Sequence, residues 1–289
     1  MIHSATLRRY YALTKPGIVY GNSLAVFAGY VFGARGSVSL AVLSAVLVGA
    51  ALVIASACVA NNIIDKDIDV YMKRTKKRSL VVGDISVYSS LLYSIMLLVL
   101  GSLLLYFGTN LVAMFMAWLG WFFYVAVYTP LKRKTMYGTA IGAISGATPP
   151  VIGYAAATGS LDVTAALLFA ILAVWQMPHF YAIAVYRVEE YKQAKIPVWS
   201  VVKGLAATRR QIILYTLLFV PAVVSLYVFS YASASYLVVM LAASLWWLYK
   251  VVRPVAAHNY NQWARGVFGA SLYVLLAFCF IVSVQHWLP

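Results

Sequence analysis

The sequence predicts an all-α polytopic membrane protein with nine transmembrane helices, its amino terminus cytoplasmic and its carboxyl terminus outside. Three observations carry that prediction. Of 289 residues, 64% are hydrophobic and 10% are charged, whereas a soluble domain averages about 25% charge. A core surrounded by water could not enclose so much apolar side chain, but lipid can serve as its solvent. Membrane-length apolar stretches recur along the whole chain, and basic residues gather in alternate connections between them.

The stretches fall near 16–34, 40–61, 86–107, 111–128, 137–157, 163–183, 211–230, 234–249 and 266–286. Each is roughly 20 residues long, enough at about 1.5 Å per residue to cross a hydrocarbon layer of about 30 Å. The first opens at Pro16, and the second runs into the paired asparagines Asn61-Asn62. The fourth ends at YTPLKRKT, residues 128–135. The fifth carries Gly138, Gly142 and Gly146 at every fourth position, a small-residue stripe that allows close helix approach. Pro149-Pro150 then end or distort that helix before its outer end. Pro178 bends or loosens the sixth span. Between the seventh and eighth, Pro221 and SYASASY permit more than one break. The chain reads as a single membrane domain, 1–289.

Charge sorts the connections. Arg8, Arg9 and Lys15 precede the first span, and the cluster from Lys66 to Arg78 follows the second. Lys132, Arg133 and Lys134 follow the fourth, and Arg187 to Arg210 follow the sixth. Lys250, Arg253 and Arg265 follow the eighth. Of 22 basic residues only Arg35 falls on the opposite side. This is the positive-inside bias, and it sets the predicted orientation. The net charge of +15 is thereby explained by topology, anionic lipid heads and an anionic substrate, not by nucleic acid. No glycine-rich nucleotide loop occurs, so ATP and NAD have no support. Cys58 and Cys279 lie in apolar segments without metal spacing and read as small buried hydrophobes. The polar, basic first dozen residues read as membrane-flanking charge, not as an export signal.

Carboxylates are scarce: seven in all, of which Asp65, Asp67 and Asp69 form one cluster and Glu189 and Glu190 another. Both clusters follow a span at its cytoplasmic end. In NNIIDKDIDV, residues 61–70, Asn62, Asp65 and Asp69 are three and four apart. If the second helix continues past its apolar boundary they share a face, while Asp67 points elsewhere. Two carboxylates and an amide oxygen make a hard-oxygen set suited to Mg²⁺, above all when a phosphate adds ligands; an ordinary solvated helix end is the alternative. In RVEEYKQAK, residues 187–195, Glu190 offers a further carboxylate and Arg187 a basic donor. In the preceding WQMPHFYAIAVY, Trp175, Gln176 and His179 lie on one side of the helix. His179 serves there as a substrate contact or as a hydrogen-bonded core imidazole. Arg74, Arg78, Lys132 and Arg133 set topology and are also the side-chain types that hold diphosphate.

A magnesium site and basic donors at the mouth of an apolar bundle suit a polyprenyl diphosphate. The metal would steady charge on the departing diphosphate. A dry interior with aromatic faces would protect the allylic cation that remains.

At this point the chain also resembles the UbiA superfamily of intramembrane prenyltransferases, and most nearly its haem-directed branch. The likeness rests on LTKPGI at 13–18, NNIIDKDIDVYMKRTKKR at 61–78, YTPLKRKT at 128–135, SGATPPVIGY at 145–154 and WQMPHFYAIAVYRVEEY at 175–191. The resemblance implies a nine-helix UbiA-like bundle around a central cavity, with the two acidic loops facing each other. It implies that Asn62, Asp65 and Asp69 bind Mg²⁺ and the diphosphate of farnesyl diphosphate, with Glu190 completing the metal set. Arg74, Arg78, Lys132, Arg133 and Arg187 would hold diphosphate, and His179 with Trp175 and Gln176 would contact haem. The implied reaction transfers farnesyl to a vinyl group of haem b, and hydroxyl addition completes the side chain of haem O. The implied setting is the bacterial inner membrane, among lipids and alongside haem-oxidase assembly partners.

Some positions depart from the family pattern. The common second motif has aspartates four apart, where Arg187 and Tyr191 here flank Glu189 and Glu190. Gly17 replaces a frequent arginine, and Ser79 a frequent proline. The rival readings are prenylation of an aromatic acid or quinone precursor, a membrane transporter, and a haem-protein assembly factor. WQMPHF favours haem, and no inverted repeat supports a transporter.

Overall fold

Helices make up nearly all of the computed structural model, which describes residues 2–256 and 259–288. The basic opening stretch, expected only to flank the membrane, is itself helical as α1 (Ile2–Leu13). Its last residue, Leu13, is buried with Val59, Leu80 and Leu97. α2 (Pro16–Ala34) begins with proline, whose missing N–H costs nothing in a first turn. α3 (Leu40–Ile64) starts at the cap Ser39 and runs three residues past its predicted end. A one-turn α4 (Lys66–Asp69) follows. α5 (Val87–Gly108) and α6 (Leu111–Phe122) start at side-chain caps, Ser86 accepting from the Ser89 amide and Asn110 from that of Ala113.

The fourth span then widens. Phe123–Tyr128 is π-helical and leads into the single turn α7 (Thr129–Leu131). The fifth predicted stretch is two helices, α8 (Gly138–Gly146) and α9 (Thr148–Thr158), which meet at Ala147. Pro149 and Pro150 stand in the first turn of α9, so the double proline interrupts the stretch and then starts a new helix. α10 (Val163–Tyr186) is capped by Asp162 and contains Pro178. The short α11 (Val188–Gln193) and α12 (Trp199–Val202) lead to α13 (Gly204–Val228). α13 starts earlier than predicted, takes Arg209 and Arg210 into its first turns and keeps Pro221 inside. The break before α14 (Ala234–Val252) therefore falls at 229–233. α15 (Tyr260–Val284) closes the bundle.

Among the described residues, eight helices are long and apolar enough to cross a membrane. The stretch that fails this test is the divided α8–α9 pair. Small residues set the close crossings. Gly153 of α9 lies against the backbone at Val26 and Tyr30 of α2, and Gly29 lies against that of Pro150, so neither place has room for a methyl group. α3 and α5 are joined by a buried polar seam. Ser94 Oγ donates to the Ser56 carbonyl at 3.0 Å, and Trp121 Nε1 donates to Ser56 Oγ at 3.1 Å. In lipid such bonds replace the water that these groups would otherwise seek. The outer face of α5 leaves Leu91, Leu92, Ile95, Met96 and Val99 exposed, as a lipid-facing surface should.

Candidate functional site

The acidic patch sits where α3 gives way to α4. The helix does not run straight on: Asp65 is its C-cap, with φ −87° and ψ 1°. One helical bond nevertheless bridges the change, the Asp69 amide donating to the Asp65 carbonyl at 2.9 Å. Asn62, Asp65 and Asp69 are all buried, at 2%, 4% and 4% exposure. Buried carboxylates need partners, and both have them, those of Asp65 including Arg133 Nη2, 3.4 Å from its Oδ1. Lys132 Nζ bonds Asp65 Oδ2, and Arg78 Nη1 bonds Asp69 Oδ2 at 2.5 Å. Burial pushes the Lys132 ammonium below its usual range, with the Asp65 charge pulling the other way.

Asn62 differs from both. Its Nδ2 donates to the Leu13 carbonyl at 2.8 Å, but its buried Oδ1 has no partner. An acceptor left bare in a protein interior costs about 1–3 kcal/mol. A carboxylate pair beside such an oxygen is the donor set of a hard cation, so these residues fit Mg²⁺. Among the described residues no three His, Cys, Asp or Glu side chains cluster as a metal site.

Arg133 is placed differently from the expectation. It grips Asp67 with Nη1 at 2.7 Å and Nη2 at 2.8 Å, and Nη2 also donates to the Ile64 carbonyl at 2.5 Å. A guanidinium committed in this way braces the end of α3. The paired Asp67 carboxyl is held below its usual range mainly by this bond. Arg74, in contrast, is exposed and has no ion-pair partner among the described residues. Glu190 also departs from the expectation. It does not join Asp65 and Asp69 in a three-carboxylate cluster but pairs with Arg187 at 3.1 Å, three residues before it on the same loop. The two loops do meet, through apolar contact of Ile68 and Met72 with Tyr191, Ala194 and Ile196.

Two contributors lay outside the sequence reading. Lys15 reaches Asn61 Oδ1, and Asn61 Nδ2 donates to Thr129 Oγ1 at 2.9 Å. The enclosing protein pushes the Lys15 ammonium down to about 8. The π-helical turn presents Thr129 here; such insertions recur at functional sites. LTKPGI was quoted for its likeness alone, and nothing local ties residue 15 to residue 61. Tyr124 and Tyr128 stack at 5.5 Å below Lys132, which lies 5.4 Å from the Tyr128 centroid.

His179 is buried deeper in α10. Trp175 stacks on it at 4.8 Å and Phe268 lies at 4.7 Å. Trp175 Nε1 donates to the Ser271 carbonyl at 3.0 Å, and His179 Nδ1 lies 2.7 Å from Ser271 Oγ. Gln176, one residue on from Trp175, faces α8. Its Nε2 donates to Leu172 O at 3.0 Å and Ala143 O at 3.4 Å, and its side chain fills the space over Gly146. It fastens α10 to α8, with no donor left for a substrate.

With this geometry in view, comparison with known proteins is informative. Residues 23–284 match the model of the UbiA prenyltransferase family. The chain is 45% identical to a protoheme IX farnesyltransferase of Yersinia enterocolitica, covering 98% of this chain and 96% of that one. It is 44% identical to the protein of the same name from Salmonella arizonae, over 98% and 96%. Among solved structures, one described as a digeranylgeranylglyceryl phosphate synthase superposes with a TM-score of 0.78 at 18% identity, covering 96% of this chain and 98% of that one. A UbiA homologue from Archaeoglobus fulgidus bound to DMAPP and Mg²⁺ superposes with a TM-score of 0.69 at 19% identity, covering 93% and 99%.

Proposed function

The chain belongs to the UbiA prenyltransferase family, and from that premise we propose that it transfers the farnesyl group of farnesyl diphosphate to haem b, giving haem O and diphosphate. It is a Mg²⁺-dependent farnesyltransferase of the bacterial inner membrane, which it crosses many times. One observation supports the chemistry above the rest: two buried carboxylates, each paired with a cation, and an amide oxygen with no partner at the same end of α3.

Asn62 Oδ1, Asp65 and Asp69 would hold Mg²⁺, which when bound draws charge from the departing diphosphate. Lys132 and Arg78 would then be free to leave the aspartates for the diphosphate oxygens, with exposed Arg74 and half-buried Arg187, itself paired with Glu190, as further cations. The exchange keeps charge balanced, so no bare ion is left in the buried site at any stage. Arg133 keeps its grip on Asp67 and holds the end of α3 in place. As the bond from farnesyl C1 to oxygen breaks, diphosphate leaves with the electron pair. Tyr124 and Tyr128 offer π-faces to the allylic cation. The vinyl π electrons of haem form the new bond to C1, leaving a cation on the carbon next to the ring; water adds there and loses a proton, giving the hydroxyl of haem O. His179 and Trp175 contact the haem; Gln176 shapes the wall behind them.

We read α8 and α9 together as one broken crossing, giving nine in all around a central chamber. Alternating basic connections then place the amino terminus inside and the carboxyl terminus outside. The deciding experiment incubates purified protein with haem b, farnesyl diphosphate and Mg²⁺ and identifies the product by mass. Haem O is the expected product, and chelating Mg²⁺ with EDTA stops its formation. A prenylated aromatic acid, formed when such an acid replaces haem, would move the assignment to another branch of the family.

A further inference from the structure

His179 is held in a way that favours one ring tautomer. Its Nδ1 lies 2.7 Å from Ser271 Oγ. That hydroxyl has a single hydrogen, and it is directed to the Phe268 carbonyl at 2.6 Å. With that hydrogen on the Phe268 carbonyl, the serine oxygen accepts from the imidazole and Nδ1 is the donor. In the neutral ring this leaves the lone pair on Nε2, which has no hydrogen-bond partner among the described residues. The ring is hemmed in as well. Trp175 stacks on it with planes 26° apart, and Phe180 meets it edge-on at 5.2 Å. Ser271, wholly buried, is held in turn by the Trp175 indole on its carbonyl.

A fixed imidazole with its Nδ1–H on an oxygen and a free Nε2 is the arrangement that serves metal ligation. The second bond sets the tautomer and raises the basicity of the ligating nitrogen. We propose that Ser271 is a positioning residue that locks His179 so that Nε2 becomes an axial ligand to the iron of the haem substrate. This rests on the haem-directed reading above and names the contact by which that substrate is oriented. Ligation fixes the height and tilt of the macrocycle in the bundle, and hence where its vinyl groups meet the allylic carbon.

The test titrates the purified full-length protein with haem b and with metal-free protoporphyrin IX, which share their peripheral groups and differ in iron. Absorption of the porphyrin and quenching of tryptophan fluorescence report binding. The wild type should bind haem b more tightly and show an imidazole-ligated spectrum that His179→Ala lacks. Ser271→Ala should weaken haem binding about 10–100-fold while leaving protoporphyrin affinity and the KM for farnesyl diphosphate in place. Ser271→Thr, which keeps the hydroxyl, should restore most of the loss. Equal weakening toward both porphyrins, or none toward either, would overturn the proposal, as would an imidazole-ligated spectrum in His179→Ala. A wild type that converts no haem in the mass assay would instead defeat the functional reading beneath it.

Discussion

At the scale of single residues, the candidate site is a set of buried ion pairs, Asp65 with Lys132 and Asp69 with Arg78. Asp65→Asn and Asp69→Asn should each lower Mg²⁺-dependent turnover by at least about 100-fold, since each deletes a proposed ligand for the ion that would stabilise the departing charge. Helical content by circular dichroism should stay unchanged; near-normal turnover in both variants would remove their metal role. The Asp65–Lys132 pair permits a sharper test. Lys132→Met leaves Asp65 charged and buried without its main partner, at a cost of about 3–5 kcal/mol. Adding Asp65→Asn removes the stranded charge, so the double variant should recover most of its melting temperature in detergent while remaining inactive. A double variant no more stable than Lys132→Met would show that the pair is not what holds Asp65. The candidates themselves were legible beforehand, because scarce carboxylates three and four apart are a local signal. The roles of Arg133, Glu190 and Gln176 were not. Whether a guanidinium or an amide is free for substrate depends on what else lies within 3 Å of it.

At the scale of elements, glycine decides how closely the helices cross. A Cβ at Gly153 would fall on the Val26 carbonyl and lie 2.6 Å from the Tyr30 nitrogen. Both are backbone atoms that cannot swing aside, so Gly153→Ala must push α2 from α9. We expect a loss of about 1–3 kcal/mol, the usual cost of overpacking, visible as a lower melting temperature. Gly266→Ala, at a position with open space, should leave that temperature unmoved. An unchanged melt for Gly153→Ala would mean that the crossing is slack. The glycine stripe along 138–146 was readable as a packing face, but its partners were not. Gly142 meets the Tyr128 ring and Gly146 meets Gln176, neither of them a neighbour in sequence.

At the scale of the whole molecule, orientation in the membrane follows from where the cations lie. Cys58 and Cys279 are buried, so single cysteines can be introduced as reporters. Ser37→Cys, in the exposed turn between α2 and α3, should react with a membrane-impermeant thiol reagent added to intact spheroplasts. Lys76→Cys, in the basic loop after α4, should react only once the membrane is permeabilised. The reverse pattern would invert the proposed topology and put the diphosphate site on the wrong side of the membrane.

Residence in lipid, the approximate spans, the basic connections and the paired aspartates were all determined by the sequence alone. These are one-dimensional properties: hydropathy over twenty residues and spacing over two helical turns need no knowledge of the rest of the chain. Only the tertiary structure decided which cation neutralises which carboxylate, that Asn62 keeps a bare oxygen, and that Ser271 meets His179 from 92 residues away. Hydrogen bonds and ion pairs act over a few ångströms, and helix crossings choose which distant residues come that close.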